Sequence, residues 1–295
     1  MTLKNIYLPQ SISETDWGTF IAPEEKFHSY DNPYEIADIP IFSGYKAEFA
    51  PLRFRNALFD SVTEKIISQR NTITFEDQCS AKYYFDIFNV SQEVLPKINR
   101  IAEVGVYTGG ASCIIAGCIE DTDTELDLID VNKNFLRYSY ERIRRLFPKA
   151  AARTRLFFGD LPTYVKKVML DEQQRRYLIH HDASHTFNVV VRDLAALSFV
   201  KDSIYGLMIQ DTHLRGGNIN SFLFVDAALF AVFGDNMRYI ELGVKFPQVT
   251  DPAFHYNEEG TYFNSNQAEG MFIPFAQIQF RYPHPSIKME CFFDE

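Results

Sequence analysis

Between residues 100 and 210 the chain alternates short apolar runs with longer stretches of helical period. The apolar run Arg100–Val106 is followed by Gly109-Gly110 and a helical run over Ala111–Ile119. Leu126–Val131 then precedes a basic helix over Asn134–Leu146, and Arg155–Phe158 ends at Gly159-Asp160 before a helix around Tyr164–Glu172. Tyr177–His181 reads as a strand, Phe187–Phe199 as a helix and Tyr205–Gln210 as a strand. Strands of this length separated by helical runs predict parallel pairing through crossover helices, with helices on both faces of the sheet.

Outside this block, Ser221–Phe233 reads as a helix, Met237–Val244 as a strand, and Gly270–Phe275 as the last, antiparallel strand. Upstream, Leu58, Val62, Ile66 and Ile67 mark one side of a helix from Arg55 to Gln69, and a second helix covers Tyr83 to Val90. The expected fold is α/β: a Rossmann-like, doubly wound, mostly parallel seven-stranded sheet with an irregular N-terminal extension. Residues 1–74 form that extension with its helix, 75–280 the main domain, and 281–295 a C-terminal tail. The extension is broken by Pro9, Pro23, Pro33, Pro40 and Pro51, yet carries Trp17, Phe20, Phe27, Tyr30, Tyr34 and Phe42. That is too aromatic for a disordered linker and predicts packing on the main domain or on a neighbouring subunit.

Composition narrows the function classes. The 295 residues include 29 basic and 39 acidic side chains, a net charge of −10. An acidic balance argues against a nucleic-acid binder and against adhesion to an anionic membrane. No run approaches the ~18–20 apolar residues of a membrane span, and the first residues lack a signal peptide's apolar centre. Cys79, Cys113, Cys118 and Cys291 form no CxxC pair and read as small buried hydrophobes in a reducing, cytoplasmic setting.

Candidate chemistry starts at Glu103-Val104-Gly105-Val106-Tyr107-Thr108-Gly109-Gly110-Ala111-Ser112. Glycines between a strand and a helix allow a tight turn and close backbone approach, and the helix start offers free N–H groups. The spacing is not the GxGxxG of a nicotinamide site, and no lysine follows as in a phosphate-binding P-loop. Asp130 ends the next strand, where a carboxylate can accept bonds from ribose hydroxyls, and Asp160 ends the one after. Each feature taken singly is also met by an ordinary strand-to-helix turn with solvated acids.

In this order, Glu103, Gly105, Gly109, Gly110, Asp130 and Asp160 resemble the motifs of class I S-adenosylmethionine-dependent methyltransferases. The resemblance implies S-adenosyl-L-methionine as cofactor. Glu103 would then order the loop near the methionine amino group, Ser112 would meet the methionine carboxylate, Asp130 would hold the ribose, and Asp160 would face the adenine. Gly105, Tyr107, Gly109 and Gly110 would line the turn beneath the cofactor.

A second constellation follows the fourth and fifth strands: Asp182-Ala183-Ser184-His185, then Gln210-Asp211-Thr212-His213. Neighbouring strand ends of an open α/β sheet share one crevice, so Asp182, His185 and Asp211 are expected to converge there. The D-x-x-H and D-T pattern resembles the cephalosporin hydroxylase-like and macrocin O-methyltransferase-like subgroup. That likeness implies a Mg²⁺ ion held by Asp182 and Asp211, with His185 as general base. Gln210 stands where those relatives often carry an acid; its carbonyl can ligate Mg²⁺ but adds no charge, so a metal-free site stays open. His213 is a second nearby imidazole, and helix capping by Asp182 is the plain alternative for that residue. The basic run Arg137, Arg142, Arg144, Arg145 and Lys149 reads as a solvated helix face.

The resulting expectation is O-methyl transfer to a hydroxyl of a small or sugar-containing acceptor, with no nucleic-acid or membrane partner and homo-oligomerisation left open. Aromatics of the N-terminal extension and of 256–280 are candidate walls of the acceptor pocket. The competing expectation is a non-catalytic binding protein of this fold with a partner-facing N-terminal extension.

Overall fold

Both faces of the central strands are covered, which is why their sequences are apolar almost throughout rather than alternating. The computed structural model describes residues 16–218, 221–246, 254–256 and 260–293. Its main sheet contains β1 (Thr19–Ile21), β2 (Arg100–Val104), β3 (Glu125–Asp130), β4 (Thr154–Phe158), β5 (Tyr177–His181), β6 (Ile204–Gln210), β9 (Ile240–Lys245) and β12 (Ala268–Pro274). A smaller sheet contains β7 (Leu214–Asn218), β8 (Ser221–Phe222), β10 (Phe254–Tyr256) and β11 (Gly260–Asn264).

The main sheet runs β1-β4-β3-β2-β5-β6-β12-β9. The β2–β6 pairs are parallel, while β12 is antiparallel to both β6 and β9, and β1 is antiparallel to β4. This is the Rossmann-like, doubly wound arrangement. Eight strands are present where seven are expected, because the short segment Thr19–Ile21 adds itself to the free edge of β4. Strand order reverses between β2 and β5, and such a reversal opens a crevice at the carboxyl ends of the two strands. Their register sets Glu103 beside His180 and Val104 beside His181.

One face of the sheet packs Ile101, Leu128, Leu178 and Met208 against α1 (Ala57–Ser68), α2 (Ala81–Val94), α3 (Gly110–Ile119) and α4 (Lys133–Leu146). The other packs Val104, Ile179, Leu207 and Ile209 against α6 (Leu161–Tyr164), α7 (Phe187–Ala196) and α8 (Val225–Phe233). The short α5 spans Pro148–Ala151, and α9 (Met289–Phe293) returns Phe292 and Phe293 onto Phe199. Among the described residues no helix is long and apolar enough to cross a membrane.

Local chemistry shifts several predicted boundaries. The helix expected over Tyr164–Glu172 begins at Leu161, because the Asp160 side chain accepts from Thr163 N at 2.9 Å and caps it early. It then widens into a π-helical turn over Val165–Met169. The helix expected over Ser221–Phe233 begins at Val225, since Ser221–Phe222 is taken by pairing with β7. Cys79, Cys113 and Cys118 are buried thiols, whereas Cys291 is exposed.

Of the basic run expected to be a solvated face, Lys149 is exposed, but Arg137, Arg142 and Arg145 of α4 are drawn into contacts. Arg142 is fully buried, stacked 3.7 Å over the Phe75 ring and bonded to the Thr108 carbonyl. Arg145 donates to the carbonyls of Phe27, Tyr30 and Asp31, Arg137 pairs with Glu24, and His28 lies 2.6 Å from Glu141. These cations fasten the N-terminal extension to its own domain, where Trp17 also meets the Phe158 ring edge-on at 5.3 Å. Residues 1–15 and 257–259, which belong to the flanks expected to pack there or wall the pocket, lie outside the described residues.

Candidate functional site

Gly105 turns the chain out of β2 at φ +83°, and its N–H donates to the Ile129 carbonyl at 2.8 Å. A Cβ at this position would overlap the Asp182 carbonyl oxygen, so a side chain is excluded by the neighbouring strand end as well as by the backbone. Asp182 N in turn donates to the Val104 carbonyl at 2.8 Å, clasping the two strand ends together. Gly109, at φ +77°, precedes α3 as its N-terminal cap residue, and Tyr107 stands between the glycines at φ +43°.

The acids sit as the strand order requires, each with a different environment. Asp130 accepts from Val106 N at 2.9 Å and Asn132 N at 2.8 Å, bracing the loop. Burial pushes its carboxyl up to about 6, against the lowering effect of those backbone donors. Asp160 lies 3.6 Å from the Arg192 guanidinium, besides capping α6. Glu103 is 1% exposed, and its Oε2 is buried with no hydrogen-bond partner among the described residues. Its Oε1 lies 3.7 Å from His180 Nδ1, and His180 Nε2 lies 3.1 Å from the Tyr83 hydroxyl. Ser112, in the first turn of α3, is likewise fully buried with its Oγ unpartnered. An unpartnered buried carboxylate oxygen is costly, so among the described residues Glu103 Oε2 and Ser112 Oγ are polar atoms able to take a ligand's donor or acceptor.

Asp182, His185 and Asp211 converge as expected. Each offers one ligand atom within 4.8 Å of the others, and His185 Nε2 lies 2.7 Å from Asp211 Oδ2. Burial, reinforced by repulsion from Asp211, raises the Asp182 carboxyl to about 7, while His180 and His185 oppose the rise. The Gln210 amide rests against Asp182; with its nitrogen turned to the carboxylate it donates to Oδ1 at 2.9 Å and to Oδ2. In that orientation Gln210 serves Asp182 as a donor. His213 stacks on Phe246 with ring centroids 4.7 Å apart, and burial lowers its pKa. The neighbouring His181 is buried against Asp193 at 3.0 Å.

Sequence reasoning missed the segment 73–80, which crosses this crevice. The Thr108 hydroxyl donates to the Glu76 carbonyl at 2.6 Å, and Ser80 N donates to Glu269 Oε1 at 2.7 Å. Burial raises the Glu269 carboxyl to about 7. The one local signal was the adjacent pair Glu76-Asp77 in a stretch with no helical period. Glu269 gave none, since a carboxylate within a buried strand is visible only once β12 is placed.

No family model and no curated protein matches the sequence. Solved structures resemble it distantly. The O-methyltransferase TomG from Streptomyces achromogenes, in complex with SAM, is 14% identical; the match covers 56% of this chain and 70% of that one at a TM-score of 0.40. An SAM-dependent O-methyltransferase from Thermotoga maritima is 13% identical, covering 74% and 71% at a TM-score of 0.42. A Bacillus cereus O-methyltransferase in complex with SAH is 11% identical, covering 56% and 70% at a TM-score of 0.39. Likenesses this distant leave the chemistry to be read from this chain's own residues.

Proposed function

We propose that the chain is an S-adenosylmethionine-dependent O-methyltransferase acting on a hydroxyl of a small or sugar-containing acceptor. The observation that carries this reading is Glu103 Oε2, a buried and unpartnered carboxylate oxygen at the strand-order reversal, beside the glycine turn. The α-ammonium of the cofactor's methionine end satisfies such an atom. Ser112 Oγ, also unpartnered, suits the adjacent carboxylate at the start of α3. Asp130 retains acceptor capacity for ribose hydroxyls beyond the backbone N–H groups that brace it. Asp160 at the next strand end suits the adenine amino group. The cofactor, when bound, would supply an electrophilic methyl group on a sulfonium, which an acceptor hydroxyl oxygen can attack as it sheds its proton, the thioether leaving.

His185 meets that need. With Nε2–H donated to Asp211, the imidazole lone pair lies on Nδ1, which takes the hydroxyl proton as the acceptor oxygen is methylated. Asp211 fixes the ring and stabilises the imidazolium that results. Asp182 and Asp211 are the residues that would hold a Mg²⁺ ion, whose bound state lowers the pKa of a coordinated hydroxyl. Gln210 then acts on Asp182 as a hydrogen-bond donor, or as a neutral ligand through its carbonyl.

Calorimetric titration with S-adenosylhomocysteine tests the reading. Wild-type protein is expected to bind it, and Glu103→Gln to bind it at least about tenfold more weakly through loss of one charge-assisted contact. A well-folded wild type that takes up no S-adenosylhomocysteine would sink the proposal. The rival, a partner-binding protein of the same fold, has less behind it, since the N-terminal extension from residue 16 onward lies on its own domain.

A further inference from the structure

Tyr107 is a large side chain in a turn that has glycine at 105, 109 and 110, held at φ +43°, a backbone region that aromatic residues rarely enter. Its hydroxyl reaches out of the loop to Glu76 Oε1 at 2.5 Å and to the Pro40 carbonyl at 2.6 Å. Its ring stacks on Phe42 at 6.1 Å and meets Phe135 edge-on at 5.3 Å. A left-handed aromatic residue persists only where its surroundings over-determine it. Here those surroundings are α4, through Phe135 and Ser139, the segment that crosses the crevice, and the strap beyond it.

Glu76 is the joint between them. Its carboxylate accepts from Phe42 N at 3.0 Å, Ser43 N at 2.7 Å, Gly44 N at 2.6 Å and Ser43 Oγ at 3.0 Å. Gln78 Nε2 donates to it as well, at 2.9 Å. Burial works to raise the Glu76 pKa, but the bonds from Tyr107 and from the backbone of 42–44 outweigh it and hold the group below its usual 4.5. Next to it, Asp77 accepts from Ala47 N at 2.8 Å and returns a bond from its own N–H to the Tyr45 carbonyl. Residues 42–45 are exposed, so much of the strap's attachment is polar bonding to these two acids rather than apolar burial. Segments of that kind open locally at low free-energy cost.

We propose that Tyr107 and Glu76 are positioning residues that couple the glycine turn to the 40–47 strap, so that occupancy of the S-adenosyl site and closure of the strap reinforce each other. The coupling rests on the cofactor reading above. When the strap opens, Glu76 loses its backbone donors and Tyr107 loses the Pro40 carbonyl and the Phe42 ring. The turn then keeps only the contacts from α4, the Phe135 ring and the Ser139 hydroxyl that donates to the Tyr107 carbonyl at 2.9 Å, and is held less firmly in its left-handed form. By linkage, whatever factor S-adenosylhomocysteine adds to strap closure, closure adds to its affinity.

Amide hydrogen exchange on the full chain reads this directly, since the N–H groups of Phe42, Ser43 and Gly44 are the ones bonded to Glu76. In wild type, saturating S-adenosylhomocysteine is expected to slow their exchange about tenfold or more. In Tyr107→Phe, which keeps the ring contacts, the ligand is expected to bind about tenfold more weakly and to leave 42–44 unprotected. Glu76→Gln is expected to behave alike, and Tyr107→Phe serves alone if that variant does not fold. Equal protection of 42–44 in wild type and Tyr107→Phe overturns the coupling, as does binding to wild type with no protection at all. Failure of wild type to bind removes the cofactor reading, and the coupling with it.

Discussion

His185 and Asp211 meet across two strand ends, with Nε2 and Oδ2 2.7 Å apart. One follows β5 and the other follows β6, which are adjacent in the sheet. Asp211 holds a left-handed backbone at φ +61°, a conformation that aspartate tolerates better than most residues, and this turns the chain sharply after β6.

If this pair moves the acceptor proton, His185→Ala should lower turnover by about 10²- to 10⁴-fold. Affinity for S-adenosylhomocysteine should change by less than about twofold, because the imidazole serves the acceptor rather than the cofactor. Steady-state rates and calorimetry on the same preparation check both halves. Undiminished turnover would remove His185 from the mechanism.

The three convergent ligand atoms of Asp182, His185 and Asp211 make a separate prediction. Chelator treatment should abolish turnover and added Mg²⁺ restore it. Because the Asp182 carboxyl is raised to about 7, ion binding must displace its proton below that pH. Apparent affinity for Mg²⁺ should therefore strengthen as pH rises from 6 toward 7 and level off above. Activity indifferent to the chelator would assign the proton transfer to His185 and Asp211 alone.

Glu269 predicts a stability profile. Its folded pKa of about 7 lies above the ordinary 4.5, so the unfolded chain releases this proton first as pH rises. The stability it contributes is complete below pH 4.5 and is lost progressively up to pH 7, with a limiting slope of about 1.4 kcal/mol per pH unit. Glu269→Gln cannot ionise and still offers a carbonyl to Ser80. Its melting temperature relative to wild type should rise between pH 5 and pH 7.5. A constant difference across that range would mean Glu269 does not titrate there.

Gly105 and Gly44 both have positive φ, but only Gly105 faces backbone. Gly105→Ala should cost more than about 3 kcal/mol, combining backbone strain with displacement of the Asp182 carbonyl. Gly44→Ala has open space for the methyl and should lose only about 1 kcal/mol. Urea midpoints for the two variants distinguish clash from strain; equal losses would show that close packing of the β2 and β5 ends is not what demands a glycine.

Much of this architecture was legible because it is local. The alternation between apolar runs and helical period located β2 through β6, and the glycine turn announced where β2 hands over to α3. Acids at the ends of β2, β3 and β4 could be read as a series, since each follows its own strand. The eighth strand was not legible: Thr19–Ile21 has three residues, and only the open edge of β4 makes them a strand. The cover over Arg142 and Arg145 is not legible either, because helical period alone does not say whether an aromatic such as Phe75 or a row of carbonyls will lie over them.

An acidic α/β chain with a glycine turn and carboxylates at consecutive strand ends follows from spacing within single elements, and so can be read without the fold. That Glu103 has a buried oxygen with no partner among the described residues, that Tyr107 leaves the turn to bond Glu76, and that Glu269 anchors Ser80 emerges only when the strands are placed side by side. Those relationships join residues separated by 31 positions in the Tyr107–Glu76 case and 189 in the Ser80–Glu269 case. Each depends on strand order and on which segment crosses the crevice. Hydrophobic period records which side of an element is buried; it carries no information about what is buried against it.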